Sequence, residues 1–185
     1  MIEKCFYTDH LYIREYKKTD LDSFLHVIRQ PEIYDTTYGI PKEYSKARGK
    51  RWLKTIKFNK HIGTAFEFAV FLKSENKYIG NVGLINISYT HNKADISYYI
   101  DRDYMNNGYA TEAAKEMLKY GFEVLGYNKI SGVCMSRNPA SRRVMEKIGM
   151  IYEGTLRSDL LKDGVYCDID RLSILRDEYS TNCKV

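Results

Sequence analysis

Prolines are scarce in this chain, three in 185 residues, and its four cysteines form no CxxC pair and have no histidine at ligand spacing. With no fixed-period repeat and no low-complexity tract to mark a linker, one continuous domain over residues 1–185 is expected. The cysteine spacing gives no support to zinc-site or redox readings, so Cys5, Cys134, Cys167 and Cys183 are expected as reduced thiols and no metal is implied. No window approaches the roughly eighteen consecutive apolar residues that a membrane span needs. The opening MIEKCFYTDH lacks the charged-then-apolar layout of a secretion signal, and a soluble, cytoplasmic protein is expected. Lysines and arginines are scattered along a chain of formal net charge +5, which argues against a dedicated nucleic-acid surface but suits an anionic small ligand.

The patterning that is present reads as mixed α/β. Leu11 to Glu15 is expected as a short strand, followed by a helix capped by Thr19 or Asp20 and running to about Arg29, where Pro31 closes it. A second helix is expected from Ser45 to Phe58, since Trp52, Leu53 and Ile56 share a face, although Gly49 weakens it. Strands at Ala65 to Leu72, Tyr78 to Ser88 and Lys93 to Asp101, separated by SENK and YTHN, suggest an antiparallel meander. Next come a helix over Ala110 to Leu125, a strand over Lys129 to Cys134 and a helix over Ala140 to Ile148, with Pro139 and Gly149 at its ends. Met150 to Leu161 and Val165 to Leu175 close the chain as a hairpin turning at Lys162-Asp163-Gly164.

Between the third meander strand and the long helix lies YMNNGYATEA, Tyr104 to Ala113. Asn-Asn-Gly alone is most often a tight turn. Here it precedes a helical stripe of Ala110, Ala113, Ala114, Met117, Leu118 and Phe122. A glycine-rich loop between a strand and a helix leaves the first helical amides unpaired at the positive end of the helix dipole, which is an anion site. Gly108 and Ala110 keep the backbone open to close approach, and Glu112 reads as a dipole-complementing or capping residue. The loop matches neither GxxxxGK[ST] nor GxGxxG, which leaves coenzyme A as the common carrier of a pyrophosphate.

Four segments in order make the likeness specific: MNNGYATEA from Met105, YGFEVLGYNKI from Tyr120, NPASRRVMEKIGMIYEG from Asn138 and DGVYCDIDRLSILRDEY from Asp163. Together they resemble the GNAT acetyltransferases, in particular their RimJ/RimL-like members. The resemblance covers the last ninety or so residues densely and the first ninety by layout only. It implies the GNAT acyl-CoA N-acyltransferase fold: a meander, a βαβα unit whose central strands splay apart, and a C-terminal β-hairpin. It further implies acetyl-CoA as cofactor and a primary amine as acceptor. A protein or peptide N-terminus is the leading acceptor, with polyamines, aminoglycosides or a non-catalytic coenzyme A-binding module as alternatives. Relatives often dimerise through their last strands, which leaves a homodimer open.

The same resemblance assigns site residues. Main chain near Tyr99, Ile100 and Asp101 would pair with the pantetheine arm, and the amides of Asn107, Gly108, Tyr109, Ala110 and Thr111 would hold the pyrophosphate. Arg102, Arg142 and Arg143 could add charge there or form a solvated face. Asn138 either caps the following helix or holds the cofactor arm, and Ser141 would lie near the thioester sulfur. Many family members place a tyrosine four residues after that serine to protonate the leaving thiolate. This chain has Met145 instead, with Tyr99 and Tyr152 as substitutes. Asp95 and Glu153 are the candidate bases, and the remaining acids, among them Glu32, Asp35, Glu43, Glu67, Asp159 and Asp163, are too dispersed in sequence to form a pocket.

Overall fold

The structure, a computed structural model, describes residues 4–182; Cys183, counted above among the thiols, lies outside them. Chain order is β1 (Cys5–Tyr7), β2 (Leu11–Arg14), α1 (Leu21–Ile28), α2 (Pro31–Thr36), α3 (Lys46–Ile62), β3 (Phe66–Leu72), β4 (Lys77–Ser88) and β5 (Lys93–Ile100). Then follow α4 (Tyr109–Lys119), β6 (Lys129–Met135), α5 (Pro139–Lys147), β7 (Ile151–Lys162), β8 (Val165–Leu175) and α6 (Arg176–Asn182). The strands form one eight-stranded sheet in the order β1-β2-β3-β4-β5-β6-β8-β7. Among the described residues only β5 and β6 are parallel, as a crossover through α4 requires.

The sheet buries an apolar layer on each face. On one side Leu84, Ile96 and Ile130 pack with Met117 and Leu118 of α4 and Met145 of α5. On the other, Ala69, Phe71 and Tyr78 pack with Phe24 and Ile28 of α1. Gly49, the weak point of the second predicted helix, is where α1 comes closest: a Cβ there would sit 3.0 Å from side-chain carbons of Leu21 and Leu25. A close approach therefore compensates the poor helix propensity of glycine. Ser45 caps α3 by accepting the Arg48 N–H at 3.1 Å, and Gly63 ends it in the left-handed region at φ 76°.

Several boundaries differ from expectation. Pro31 does not merely stop α1; it occupies the first turn of α2, where its missing N–H costs nothing. Asp20 precedes α1, but its carboxylate is taken by Arg14 through two bonds of 2.7 and 2.8 Å and by the Lys17 N–H. The helix expected to reach Leu125 is α-helical to Lys119 and continues as a π-helical turn, Tyr120–Val124. β1 and α6 were not anticipated, being too short or too polar to show a period. The β7–β8 turn has Asp163 and Gly164 both at positive φ, the two-residue type that Asp-Gly favours.

The tip of that hairpin folds back on α2. Buried Lys162 donates to the carbonyls of Tyr34 and Thr37 and lies over the Tyr34 ring, while Tyr34 Oη donates to Asp163. A cation on the last carbonyls of a helix is favourable, and the segment leaving α2 is thereby pinned. Arg29 Nε fixes its other end, donating to Tyr44 O at 2.7 Å. No helix among the described residues is long and apolar enough to cross a membrane.

Candidate active site

The parallel pairing of β5 and β6 is brief. Lys93, Ala94 and Asp95 pair with Lys129, Ile130 and Ser131, after which β5 stays with β4 as far as Ile100 and β6 stays with β8 as far as Met135. The strands therefore splay, and main-chain groups along the gap face no strand partner. A cavity of about 1220 Å³ opens there, with walls from α3, α4, α5 and the segment between α2 and α3.

At one end of the cavity stands the start of α4. Gly108 is its N-cap at φ 84°, a left-handed conformation that costs glycine little, and no atom lies within 4 Å of where its Cβ would be. Gly108 has no side chain to cap the helix, and Glu112 N–H is the first helical amide to find a carbonyl, that of Gly108 at 3.0 Å. The amides of Tyr109, Ala110 and Thr111 are left for a ligand, and all three residues line the cavity. The backbone end with its dipole and the unpaired strand edge fit the diphosphate and amide arm of coenzyme A. Glu112 itself turns away: it accepts from Thr8 Oγ1 at 2.5 Å, His10 N at 2.8 Å and His10 Nδ1 at 3.0 Å, which ties the β1–β2 turn to α4.

Of the residues assigned by resemblance, Tyr99, Ile100, Gly108, Tyr109, Ala110, Thr111, Asn138, Ser141, Arg143 and Asp95 line the cavity. Asn138 caps α5, its Oδ1 accepting the Ser141 N–H at 3.1 Å while its Nδ2 donates to Thr36 O at 3.2 Å. Asn107 turns its amide inward to the carbonyls of Tyr104 and Met105 and closes the loop.

Three assignments need correction, those of Arg142, Asp101 and Glu153. Arg142 does not reach the cavity, because Asp170 on β8 and Glu146 one helical turn on hold its guanidinium at 3.1 and 3.0 Å. Arg102, for which a solvated face was the alternative, is exposed and engaged by Glu32 and Asp103. Asp101 has both main-chain groups engaged, its N–H donating to Ile79 O at 2.7 Å and its carbonyl accepting the Tyr104 N–H at 2.9 Å, while its buried carboxylate receives the Gln30 amide and the Asp103 N–H, both at 3.0 Å. Glu153 lies on β7 outside the cavity, paired with Lys129 and accepting from Ser173 Oγ at 2.7 Å; Lys129 above all holds its carboxyl below the usual range. A carboxylate so placed is no base for this cavity.

The fold also brings forward residues that the sequence did not single out. Tyr98 crosses from β5 to α5, its Oη 3.0 Å from both Ser141 O and Ser141 Oγ. Burial raises its phenol pKa well above the ordinary value, so it stays protonated. Met145, buried against Gly132, supplies no hydroxyl, and Tyr98 brings one to the same wall from the opposite strand. On the other side of β5, Glu67 accepts from Asn81 Nδ2 at 2.6 Å, and Asn81 Oδ1 accepts from Tyr16 Oη at 2.9 Å. The phenols of Tyr16, Tyr78 and Tyr99 continue the chain at 3.0 and 3.2 Å, back to the cavity wall. Burial raises the Glu67 pKa, partly offset by the Asn81 bond. Asp95 is less enclosed and accepts from Asn86 Nδ2 at 3.0 Å.

Comparison with known proteins gives these features a context. A family model described as an acetyltransferase (GNAT) domain matches residues 10–151. The uncharacterized N-acetyltransferase YoaA of Bacillus subtilis is 25% identical over 169 residues, 91% of this chain and 95% of that protein. The putative ribosomal N-acetyltransferase YdaF of the same organism is 32% identical over 100 residues, 54% of this chain and 55% of YdaF. Spermidine N-acetyltransferase from Vibrio cholerae, solved in complex with CoA and spermine, superposes with a TM-score of 0.83 at 24% identity, covering 94% of this chain and 99% of that one. Because the family model spans most of the sequence and the splayed sheet agrees with it, the chain belongs to the GNAT acetyltransferases and transfers an acetyl group from acetyl-CoA to an amine.

Proposed function

We propose that this enzyme acetylates the α-amine at a polypeptide N-terminus, as RimJ/RimL-like members of the family do. The observation that carries this reading is the acceptor side of the cavity, where Arg48 and Arg51 of α3 stand on an exposed wall and carboxylates are restricted to Glu43, Glu67 and Asp95. Two guanidiniums on the approach repel a polycation more strongly than a chain with one terminal charge. Proton bookkeeping points the same way. At pH 7, neutralising a lysine-like amine of pKa about 10.4 costs roughly 4.6 kcal/mol, against about 1.4 kcal/mol for an α-amine near pKa 8.

Bound acetyl-CoA supplies the thioester. The chain's own groups do the rest: the amides of Tyr109, Ala110 and Thr111 hold the pyrophosphate, and the open edge of β5 at Tyr99 and Ile100 aligns the arm. Tyr98, through Ser141 Oγ, keeps a proton facing the sulfur. Glu67 accepts the amine proton, with Asn81 orienting its carboxylate. Asp95 is the second candidate for that task, on its place in the cavity wall.

A small polyamine acceptor is the second reading, favoured by the three acids in the cavity and by the spermidine acetyltransferases among the relatives, such as that of Escherichia coli. Thiol release from acetyl-CoA separates the two. Peptides with a free N-terminus should react, the same peptides with a blocked N-terminus but a free lysine should not, and spermidine should be slower by at least about tenfold. Spermidine as the better substrate would sink the polypeptide reading. In the same assay Tyr98→Phe should lower kcat by about 10²-fold with little change in KM; an unchanged kcat would remove Tyr98 from the mechanism.

A further inference from the structure

The expectation of evenly scattered charge fails at α3, where one continuous stretch of the chain is densely basic. Between Lys46 and Ile62 stand Lys46, Arg48, Lys50, Arg51, Lys54, Lys57 and Lys60, without one aspartate or glutamate, in a chain where Lys and Arg exceed Asp and Glu only by 29 to 24. Lys46 and Lys60 are ion-paired, with Asp22 and Glu15. Among the described residues Arg48, Arg51, Lys54 and Lys57 have no carboxylate partner. They follow one another at three-residue steps, so the row winds from the cavity wall, where Arg48 lies over the Tyr44 ring at 5.6 Å, onto the outer surface.

The polarity of the acceptor side is thus ordered. The partly enclosed carboxylates Glu67 and Asp95 lie in the cavity, and cations occupy the rim, where Glu43 is the sole exposed acid among the lining residues. A ligand that satisfies both ends carries a positive amine first and negative groups behind it. We infer that the enzyme selects polypeptide N-termini whose second to fourth residues are acidic, their carboxylates lying on Arg48, Arg51 and Lys54. The dimensions are compatible: the second and fourth residues of an extended chain lie ~7 Å apart, and Arg48 and Lys54, two three-residue steps apart on the helix, are separated by a rise of ~9 Å, a difference that their long side chains can span. This inference rests on the polypeptide reading above and adds the sequence that the reading leaves open.

The test is acetylation of three peptides that share a first residue and continue with three aspartates, three alanines or three lysines, followed by thiol release at low and at 0.3 M salt. The acidic peptide should have a kcat/KM about tenfold above the alanine peptide and further above the lysine peptide, with the differences collapsing in high salt. In Arg48→Glu/Arg51→Glu the order should invert, the lysine peptide becoming the best. The wild-type salt comparison needs no variant and stands if that one fails to fold. Equal kcat/KM for the three peptides at low salt overturns the inference but leaves the polypeptide reading intact. Acetylation of spermidine and of none of the peptides overturns both. Retention of the wild-type enzyme on an RNA oligonucleotide, with no preference among peptides, overturns the inference in favour of a polyanion surface.

Discussion

Glu67 is the residue on which structure and chemistry meet most closely. It is a carboxylate lining the cavity, hydrogen-bonded by Asn81 and shielded from water so that its ionised form is disfavoured. A group whose folded pKa lies above its unfolded value weakens the fold once pH exceeds both, because folding then confines a charge that the unfolded chain solvates. Glu67→Gln keeps the acceptor for Asn81 and removes the charge. It should raise the melting temperature at pH 8 while lowering kcat by about 10²-fold. Loss of activity in Asp95→Asn but not in Glu67→Gln would move the base to Asp95. In the sequence Glu67 was one of six scattered acids; its neighbours Asn81 and Tyr16 are 14 and 65 positions from their partners in this network, a distance that local pattern does not bridge. Tyr98 was concealed differently: it shares a strand face with Ile96 and Ile100 and reads as core.

At the scale of elements, the strands and helices that carry strong periodicity were legible, and so was the unpaired start of α4, because Gly108 and the alanine stripe state it locally. What was not legible was which way long side chains turn. Arg142 and Arg143 are adjacent, yet only Arg143 lines the cavity, since Asp170 on β8 holds Arg142. Likewise Glu153 followed the right helix but found Lys129. β5 leaves β6 after Asp95 but stays paired with β4 as far as Ile100, and Gly80, opposite Ile100, allows that pairing. A Cβ at Gly80 would lie 2.2 Å from Tyr99 O and 3.1 Å from Ile100 Cα, both backbone atoms that cannot rotate aside. Gly80→Ala should therefore destabilise by about 1–3 kcal/mol and raise the dissociation constant for acetyl-CoA, read by thermal melting and calorimetric titration. An unaltered melt and affinity would show that the β4–β5 contact does not set the gap.

For the whole molecule, acid stability follows from carboxylates whose partners lie far off in sequence. Burial alone would raise the Glu112 pKa, but the bonds from Thr8 and His10 outweigh it and hold it below the ordinary value. At Asp170 burial is likewise outweighed by Ser136, Thr155 and Arg142, and Glu153 is lowered chiefly by Lys129. Depressed folded values mean stabilisation that is complete above the unfolded pKa, about 4, and is lost as pH falls through the folded ones. The melting temperature should stay level from pH 7 to about 5 and drop below about 4.5. Glu112→Gln should lower it at pH 7 by about 2–4 °C, the shift that ~1 kcal/mol makes in a chain of this size, and flatten the acid slope. A slope unaffected by that change would place the acid sensitivity elsewhere.

The hold of Lys162 on the carbonyls of Tyr34 and Thr37 bears on how the enzyme meets its acceptor. The stretch from Thr37 to Ser45 forms one wall of the cavity, and a loop of that length left free would have to be ordered each time a ligand arrived. Fastened by the far hairpin at one end and by Arg29 at the other, it gives up that freedom once, during folding, so that catalytic cycles begin with the wall already standing.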